Sequence, residues 1–248
     1  MWDNPRLLNA TANALIALAA VIFAYAGLQL LLRSPLFPLK EVVVRGDLKH
    51  ANRDEIAAAM DGVGGNFFAT DLAAVRERFE QVGWVRRVDL RRVWPDRIEV
   101  ALEEHIAFAR WGGGGLVNSF GEPFAAASND AGGQPLPLFS GPAGSESEIA
   151  RRYRSFAELL APLDALPDRV VLTPRYAWQL RLGGTQNGAL YLELGRDGAE
   201  SVEQRLARFV AAYPESLGRL PRRGATEQVF VDLRYPNGFA LRVAGWKG

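Results

Sequence analysis

Residues 7–32 read LLNATANALIALAAVIFAYAGLQLLL, a run with no charged side chain. As a helix rising 1.5 Å per residue it would reach about 39 Å, enough to cross a hydrocarbon core of ~30 Å with some tilt. Its centre, Ala14 to Leu28, is almost wholly apolar. Asn9, Thr11 and Asn13 stand near one end and Gln29 near the other, where they reach headgroups or water. A buried core helix would keep a polar stripe, and this one is apolar all round. Ala24-Tyr25-Ala26 fits the small-x-small pattern of a cleaved secretory signal. Against cleavage, the run continues through Leu30, Leu31 and Leu32, longer than a signal core of about 7 to 15 residues, and Met1 to Arg6 lacks a strongly basic start. The reading is an uncleaved membrane helix over residues 7–33, a short tail over residues 1–6, and a water-exposed bulk beyond. Flanking charge leaves the orientation open: Arg6 and the amino terminus, offset by Asp3, face Arg33 and Lys40.

After this helix about 215 residues remain, room for one large or two ordinary domains. Hydrophobic content of 48% supports a proper core. With 29 basic and 28 acidic side chains and a net charge of +1, the chain lacks the basic excess of a dedicated nucleic-acid binder. Cys is absent, which excludes disulfides, thiol catalysis and cysteine metal sites. Gly112 to Gly115 and Ser128 to Gly133 read as loops.

Working outward, Pro35 and Pro38 stop the membrane helix, and Leu39 to Arg45 reads as a strand ending at Gly46. Asn52 and Glu55 have the spacing of a capping box for a helix with Ile56 and Met60 inward. Thr70 or Asp71 opens a second helix, with Leu72, Val75, Phe79 and Val82 on one stripe and Gly83 in the stop position. Val85 to Val93 and Arg97 to Glu103 are strands joined at Trp94-Pro95-Asp96, with Ile98, Val100 and Leu102 on one face. The order over residues 37–104 is βααββ.

Residues 105–248 read as a second module. Ile106 to Trp111 is a strand, and Leu116 to Ser119 with Gly121 to Phe124 form a strand-turn-strand unit. Leu136 to Phe139 is extended. Ser145 and Glu148 have capping-box spacing before a helix with Ile149, Tyr153, Phe156 and Leu160 inward. Val170 to Thr173, Ala177 to Leu182 and Ala189 to Leu194 are strands. In the last two, Trp178, Leu180, Leu182, Leu190, Leu192 and Leu194 mark one face, and Gln179, Arg181, Tyr191 and Glu193 the other. Ser201 to Tyr213 is a helix. Val229 to Arg234 and Phe239 to Ala244 close the chain as a hairpin, signalled by Asn237-Gly238.

Phe37-Pro38-Leu39, Gly83-Trp84-Val85 and Trp94-Pro95-Asp96, in this order after one membrane helix, make the first module resemble a POTRA domain of the FtsQ/DivIB family of bacterial cell-division proteins. The likeness runs on through Trp178-Gln179-Leu180, Arg205 to Phe209 with Tyr213-Pro214, and Val231 to Tyr235 with Gly238 and Ala240. A tryptophan that many relatives carry soon after the closing glycine stands later here, as Trp246. The fold implied is α+β: a single N-terminal transmembrane helix, a small βααββ POTRA domain, then a mixed or antiparallel β-sheet domain with flanking helices.

Residues with catalytic potential do not converge. His50 and His105 lack metal-ligand spacing and read as ordinary polar residues. Glu103 and Glu104 are adjacent on a strand and point to opposite faces, as on a solvated edge. No Gly-x-Ser-x-Gly elbow is present, and Gly62-Val63-Gly64 lacks the third glycine of a dinucleotide loop. Arg86, Arg87, Arg91, Arg92 and Arg97 are interleaved with Asp89, Asp96, Glu99, Glu103 and Glu104, the pattern of a mutually paired, solvated hairpin face, with a phospholipid or partner contact near the membrane as the alternative. No catalytic, cofactor or metal site is expected.

A terminal hairpin would leave one edge of its last strand with unpaired backbone groups, open to strand addition by another chain. Phe239, Leu241 and Val243 would face the core, and Ala240, Arg242 and Ala244 the guest. Arg242 and Lys247 could equally protect the edge. The resemblance implies that this edge receives FtsB, itself coiled with FtsL, and that the contacts are Tyr235, Gly238, Phe239 and Ala240, with Arg175 ahead of the Trp178 strand. It also implies a cytoplasmic amino terminus, a periplasmic bulk in the inner membrane at the division septum, and a non-enzymatic scaffold. Two other classes stand beside it. A POTRA-bearing export chaperone would continue into ~10-residue barrel strands, which this sequence lacks. An anchored periplasmic hydrolase would need a polar cluster that the sequence does not display.

Overall fold

The computed structural model describes residues 5–32, 34–126, 133, 135–185, 188–219 and 228–243. Arg33, Ala244, Trp246, Lys247, residues 1–4 and most of the Ser128 to Gly133 loop, all of which figured in the sequence reading, lie outside them. The chain divides into two compact units, Met1–Glu104 and His105–Gly248.

In the first unit, α1 spans Pro5–Leu32. It starts at a proline, whose fixed φ suits a first helical turn. Its segment Asn9–Leu32 has a mean hydropathy of 2.4 and no buried residue, and it is the one described helix long and apolar enough to cross a membrane. Beyond it, β1 (Glu41–Arg45), β2 (Val85–Val93) and β3 (Arg97–Glu104) form a sheet in the order β1-β3-β2, with β1 parallel and β2 antiparallel to β3. Because β3 is central, its alternating Ile98, Val100 and Leu102 are buried under α2 (Arg53–Met60) and α3 (Leu72–Glu80), against Ile56, Ala59, Val75 and Phe79. The opposite face carries ion pairs: Arg91 and Arg45 on Glu99 at 2.5 and 3.3 Å, and Arg86 on Glu103 at 2.7 Å.

The helix starts follow local side-chain chemistry. Asn52 accepts the Asp54 amide at 3.0 Å, and of the two candidates for the next cap it is Asp71 that accepts, from Ala73 and Ala74. The expected glycine stop is not used. Helix α3 ends at Glu80 and turns through Gln81 in right-handed geometry, and Gly83 is not among the glycines with positive φ. The adjacent carboxylates also part ways. Glu103 is solvated, but the side chain of Glu104 is buried, and its oxygens accept the amides of Lys49, His50 and Ala51 at 2.9, 3.1 and 2.7 Å. Alternation assigns a residue's face, but the 46–51 loop folding over the end of β3 decides which face is wet.

The second unit is a nine-stranded mixed sheet. Its strands are β4 (Ala107–Trp111), β5 (Leu116–Asn118), β6 (Pro123–Phe124), β7 (Leu138–Ser140), β8 (Pro167–Leu172), β9 (Trp178–Thr185), β10 (Gly188–Gly195), β11 (Gln228–Asp232) and β12 (Ala240–Val243). Their spatial order is β12-β11-β10-β9-β8-β7-β4-β5-β6. The pairs β10/β11, β7/β8 and β4/β7 are parallel. Helices α4 (Glu146–Leu160) and α5 (Val202–Ala212) pack together with one sheet face, burying Phe156, Leu160, Leu206 and Phe209 against Val170, Trp178, Leu180, Leu190, Leu192 and Val231. Leu182 and Leu194 share that face, as their alternation predicts. Helix α5 supplies the crossover that a parallel β10/β11 pair requires.

The capping box expected at Ser145 and Glu148 does not form. The Ser145 hydroxyl donates to the Pro142 carbonyl at 2.6 Å and makes no side-chain cap. A capping box does open α5, between Ser201 and Gln204. Both histidines stack on aromatic rings, His50 on Trp84 with centroids 4.4 Å apart and His105 on Phe124 at 4.1 Å.

Candidate docking edge

Strand β12 is the last in the sheet. It pairs antiparallel with β11 from Asp232↔Ala240 to Val229↔Val243, and among the described residues no strand pairs with its other side. An unpaired strand edge is a template for a further strand.

The connection to β12 differs from the sequence reading. Asn-Gly predicts a two-residue type I′ turn, which needs positive φ at both residues. Neither Asn237 nor Gly238 has one, and residues 233–239 form a longer loop. The parent helix holds that loop. Arg208 on α5 donates to the Tyr235 carbonyl at 2.9 Å and pairs with Glu200. The Phe239 ring meets Phe209 edge-on, with centroids 5.5 Å apart. These tertiary anchors outweigh the local turn preference.

Phe239 and Val243 pack on the core, as their alternation predicts, but Leu241 is 41% exposed although it sits opposite the buried Val231. Leu241 lies on the last strand of the sheet, with no further described strand beside it. A guest strand would cover it. At about 25 cal/mol per Å² the added burial of a leucine face contributes ~1 kcal/mol.

On the sheet face away from α4 and α5, the register aligns Arg181, Tyr191, Phe230 and Arg242 across four strands. Tyr191 and Phe230 stack at 4.8 Å, and the Arg242 guanidinium lies 4.8 Å from the Phe230 centroid. The next row holds Gln179, Glu193, Asp232 and Ala240. Gln179 donates to Glu193 at 2.7 Å, and Arg234 grips Asp232 through two nitrogens at 2.9 and 2.6 Å. That grip, against a smaller opposing effect of burial, holds the Asp232 carboxyl below the usual carboxylate range. Apart from Arg181, these rows line an open groove of about 480 Å³ beside β12. The sequence reading noted the outward residues of β9 and β10 but missed Phe230 and the alignment of the rows. Only strand register reveals those.

The five predicted contact residues fall at one end of the sheet. Tyr235 is exposed, Ala240 opens the free edge, and Gly238 has open space where a Cβ would stand. Phe239 is instead mostly turned to the core. Arg175 is exposed in the β8/β9 turn, which the register puts at the same end as the 233–239 loop. It stands across β9, β10 and β11, roughly 17 Å from β12 at ~4.8 Å per strand. Arg175 thus stands apart from the other four, which lie on the 233–239 loop and the start of β12. Among the described residues no group of three His, Asp or Glu is arranged to hold a metal ion.

Two family profiles match the chain: "POTRA domain, FtsQ-type" over residues 37–105 and "Cell division protein FtsQ/DivIB, C-terminal" over residues 109–234. Among similar proteins, the cell division protein FtsQ of Burkholderia pseudomallei is 42% identical over 100% of this chain and 96% of its own length. That of Nitrosospira multiformis is 42% identical over 98% of this chain and 99% of its own length, and that of Escherichia coli K12 is 32% identical over 84% and 73%. With a POTRA unit followed by a mixed sheet, and relatives aligned along nearly its whole length, the chain belongs to the FtsQ/DivIB family of cell division proteins.

Proposed function

We propose that this protein is a membrane-anchored, non-enzymatic scaffold of the division machinery that binds FtsB, in complex with FtsL, by strand addition at β12. The observation that carries this reading is the outer side of β12, unpaired among the described residues, with the half-exposed Leu241 beside it. Backbone pairing supplies affinity, and side-chain pockets on alternate positions supply selectivity. Tyr235, Gly238, Phe239 and Ala240 form the contact, with Phe239 setting the height of the edge from behind. Arg175 meets a more distant acidic part of the same guest. Gly238 fits this role because its φ is not positive and, among the described residues, no atom stands within 4 Å of where a Cβ would be.

In the same proposal residues 1–6 lie in the cytoplasm and residues 7–33 cross the inner membrane. The POTRA domain of residues 37–104 and the β domain of residues 105–248 lie in the periplasm at the septum. The apolar α1 supports the anchor, and the family supports a role among other division proteins.

The test is capture of a purified FtsB/FtsL pair by the chain carrying Tyr235→Ala and Ala240→Arg. The expected result is a loss of at least about tenfold in affinity with an unchanged circular dichroism spectrum, since interface hot spots contribute ~1.4 kcal/mol or more each. Unchanged affinity would sink the proposal.

A further inference from the structure

Between residues 34 and 104 the exposed large apolar side chains are Leu36, Phe68 and Trp94, at 69%, 40% and 76%. They lie far apart in sequence, but the fold brings their segments to one end. The register puts Glu41 beside Arg97 and Arg97 beside Val93, so the start of β1 and the Trp94 hairpin share an end of the sheet. The Lys40 amide closes this end by donating to the Asp96 carbonyl at 2.9 Å. The 66–70 loop is tied to the same end. The Phe67 amide donates to the Phe37 carbonyl at 2.8 Å, and Arg92, two residues before Trp94, donates to the carbonyls of Phe67 and Thr70 at 3.0 and 2.6 Å. Phe68 meets the half-buried Phe37 edge-on at 5.2 Å.

This end is also the one joined to α1. The Asn66 side chain donates to the Ser34 carbonyl at 2.6 Å, two residues past the end of α1 at Leu32. Leu36 is four residues past it, at most ~14 Å of chain. The opposite end, with Asp47, Lys49 and the 46–51 loop, exposes charge instead. Exposed apolar side chains gathered within reach of a membrane span, with a tryptophan among them, have the composition of a membrane–water interface contact.

We propose that Leu36, Phe68 and Trp94 sit in the headgroup layer of the bilayer and hold the POTRA domain upright on the membrane. The inference rests on α1 being the membrane anchor. Arg92 serves it by fixing the 66–70 loop to the hairpin, so that the apolar side chains act together. Lys40, paired with Asp96 at 3.0 Å, and Arg97, paired with Glu41 at 2.9 Å, border the patch with charge that headgroups accommodate.

Because the chain has no cysteine, single labels can be placed at will. The full chain is reconstituted in vesicles of phosphatidylethanolamine and phosphatidylglycerol with a nitroxide at Ala69→Cys, Phe23→Cys or Asp47→Cys. Collision with dissolved oxygen, set against collision with a water-soluble nickel chelate, reports immersion. The label at 69 is expected to show an oxygen-to-nickel ratio at least about threefold above that at 47, as for groups ~5–10 Å into the interface. Adding Leu36→Ser and Trp94→Ser, both highly exposed and therefore harmless to the fold, should bring it back toward the value at 47. A water-like signal at 69 with immersion at 23 overturns the inference and leaves the anchor standing. A water-like signal at 23 overturns the anchor and the inference with it. Protection of 69 that needs an added membrane protein, or that survives the double substitution, also overturns it.

Discussion

The ring of Phe239 packs edge-on against Phe209 at 5.5 Å and 77°, and this contact sets where β12 leaves the core. Phe209 is fully buried on α5, so the helix on the inner face fixes the height and angle of the free edge. Shortening Phe239 to Ala should cost about 2 kcal/mol, below the 3–5 kcal/mol of a fully buried phenylalanine because the ring is only partly covered. Partner affinity should fall more than that of Leu241→Ala. Thermal unfolding and a binding titration on the same two variants check both parts.

Arg208 reaches from α5 to the Tyr235 carbonyl while pairing with Glu200. Arg208→Ala should lower stability by about 1–2 kcal/mol, as for loss of one charged hydrogen bond and one partly exposed ion pair. It should also speed hydrogen exchange in residues 233–239 without altering that of β9. Arg208→Lys, which keeps the charge but loses the fork, should exchange at an intermediate rate. Exchange followed by mass spectrometry separates the three.

Glu104 closes the 46–51 loop through three amides. Burial pushes its carboxyl up, but the Lys49, Ala51 and His50 amides together outweigh this and leave it below the ordinary value of 4.5. A carboxylate with a lowered folded-state pKa adds stability that is fully present above the unfolded pKa and is lost as pH falls through the folded one. Glu104→Gln should therefore destabilise by about 1–3 kcal/mol at pH 7. The gap should narrow as pH falls below 4.5 and close once pH has passed the lowered folded-state pKa. Urea unfolding across that range tests the sign.

Asn118 is fully buried, and its side-chain oxygen accepts the amides of Phe120 and Glu122 at 2.8 and 2.9 Å. Its side-chain nitrogen donates to the Glu122 carboxylate at 2.6 Å. Asn118→Ala strands these groups and should cost about 2–4 kcal/mol. Gly121 in the same turn has φ +84°, and a Cβ there would stand 2.7 Å from the Ser147 Cα. Gly121→Ala should be at least as damaging. Calorimetry on both variants is the check.

Much of this architecture was legible in the sequence. A charge-free run predicts α1, and period-two alternation puts Ile98, Val100, Leu180, Leu190 and Leu192 on inner faces, because a strand's side-chain direction is a local property. Family motifs then name the module order. Helix starts were half legible: Asn52 and Asp71 cap as expected, but Ser145 bonds back to Pro142.

What the sequence by itself determined was one apolar helix long enough to cross a membrane, a βααββ module and a second sheet domain, mixed or antiparallel, with polar residues on its outer face. Only the tertiary structure decided the rest. Register aligned Arg181, Tyr191, Phe230 and Arg242 into one row and left β12 at the border. The Asn237-Gly238 turn yielded to Arg208 and Phe209, Glu104 went under a loop, and Leu36, Phe68 and Trp94 gathered at one end. These are pairings between segments distant along the chain. Each is decided by the free energy of closing the whole core, which no local propensity encodes.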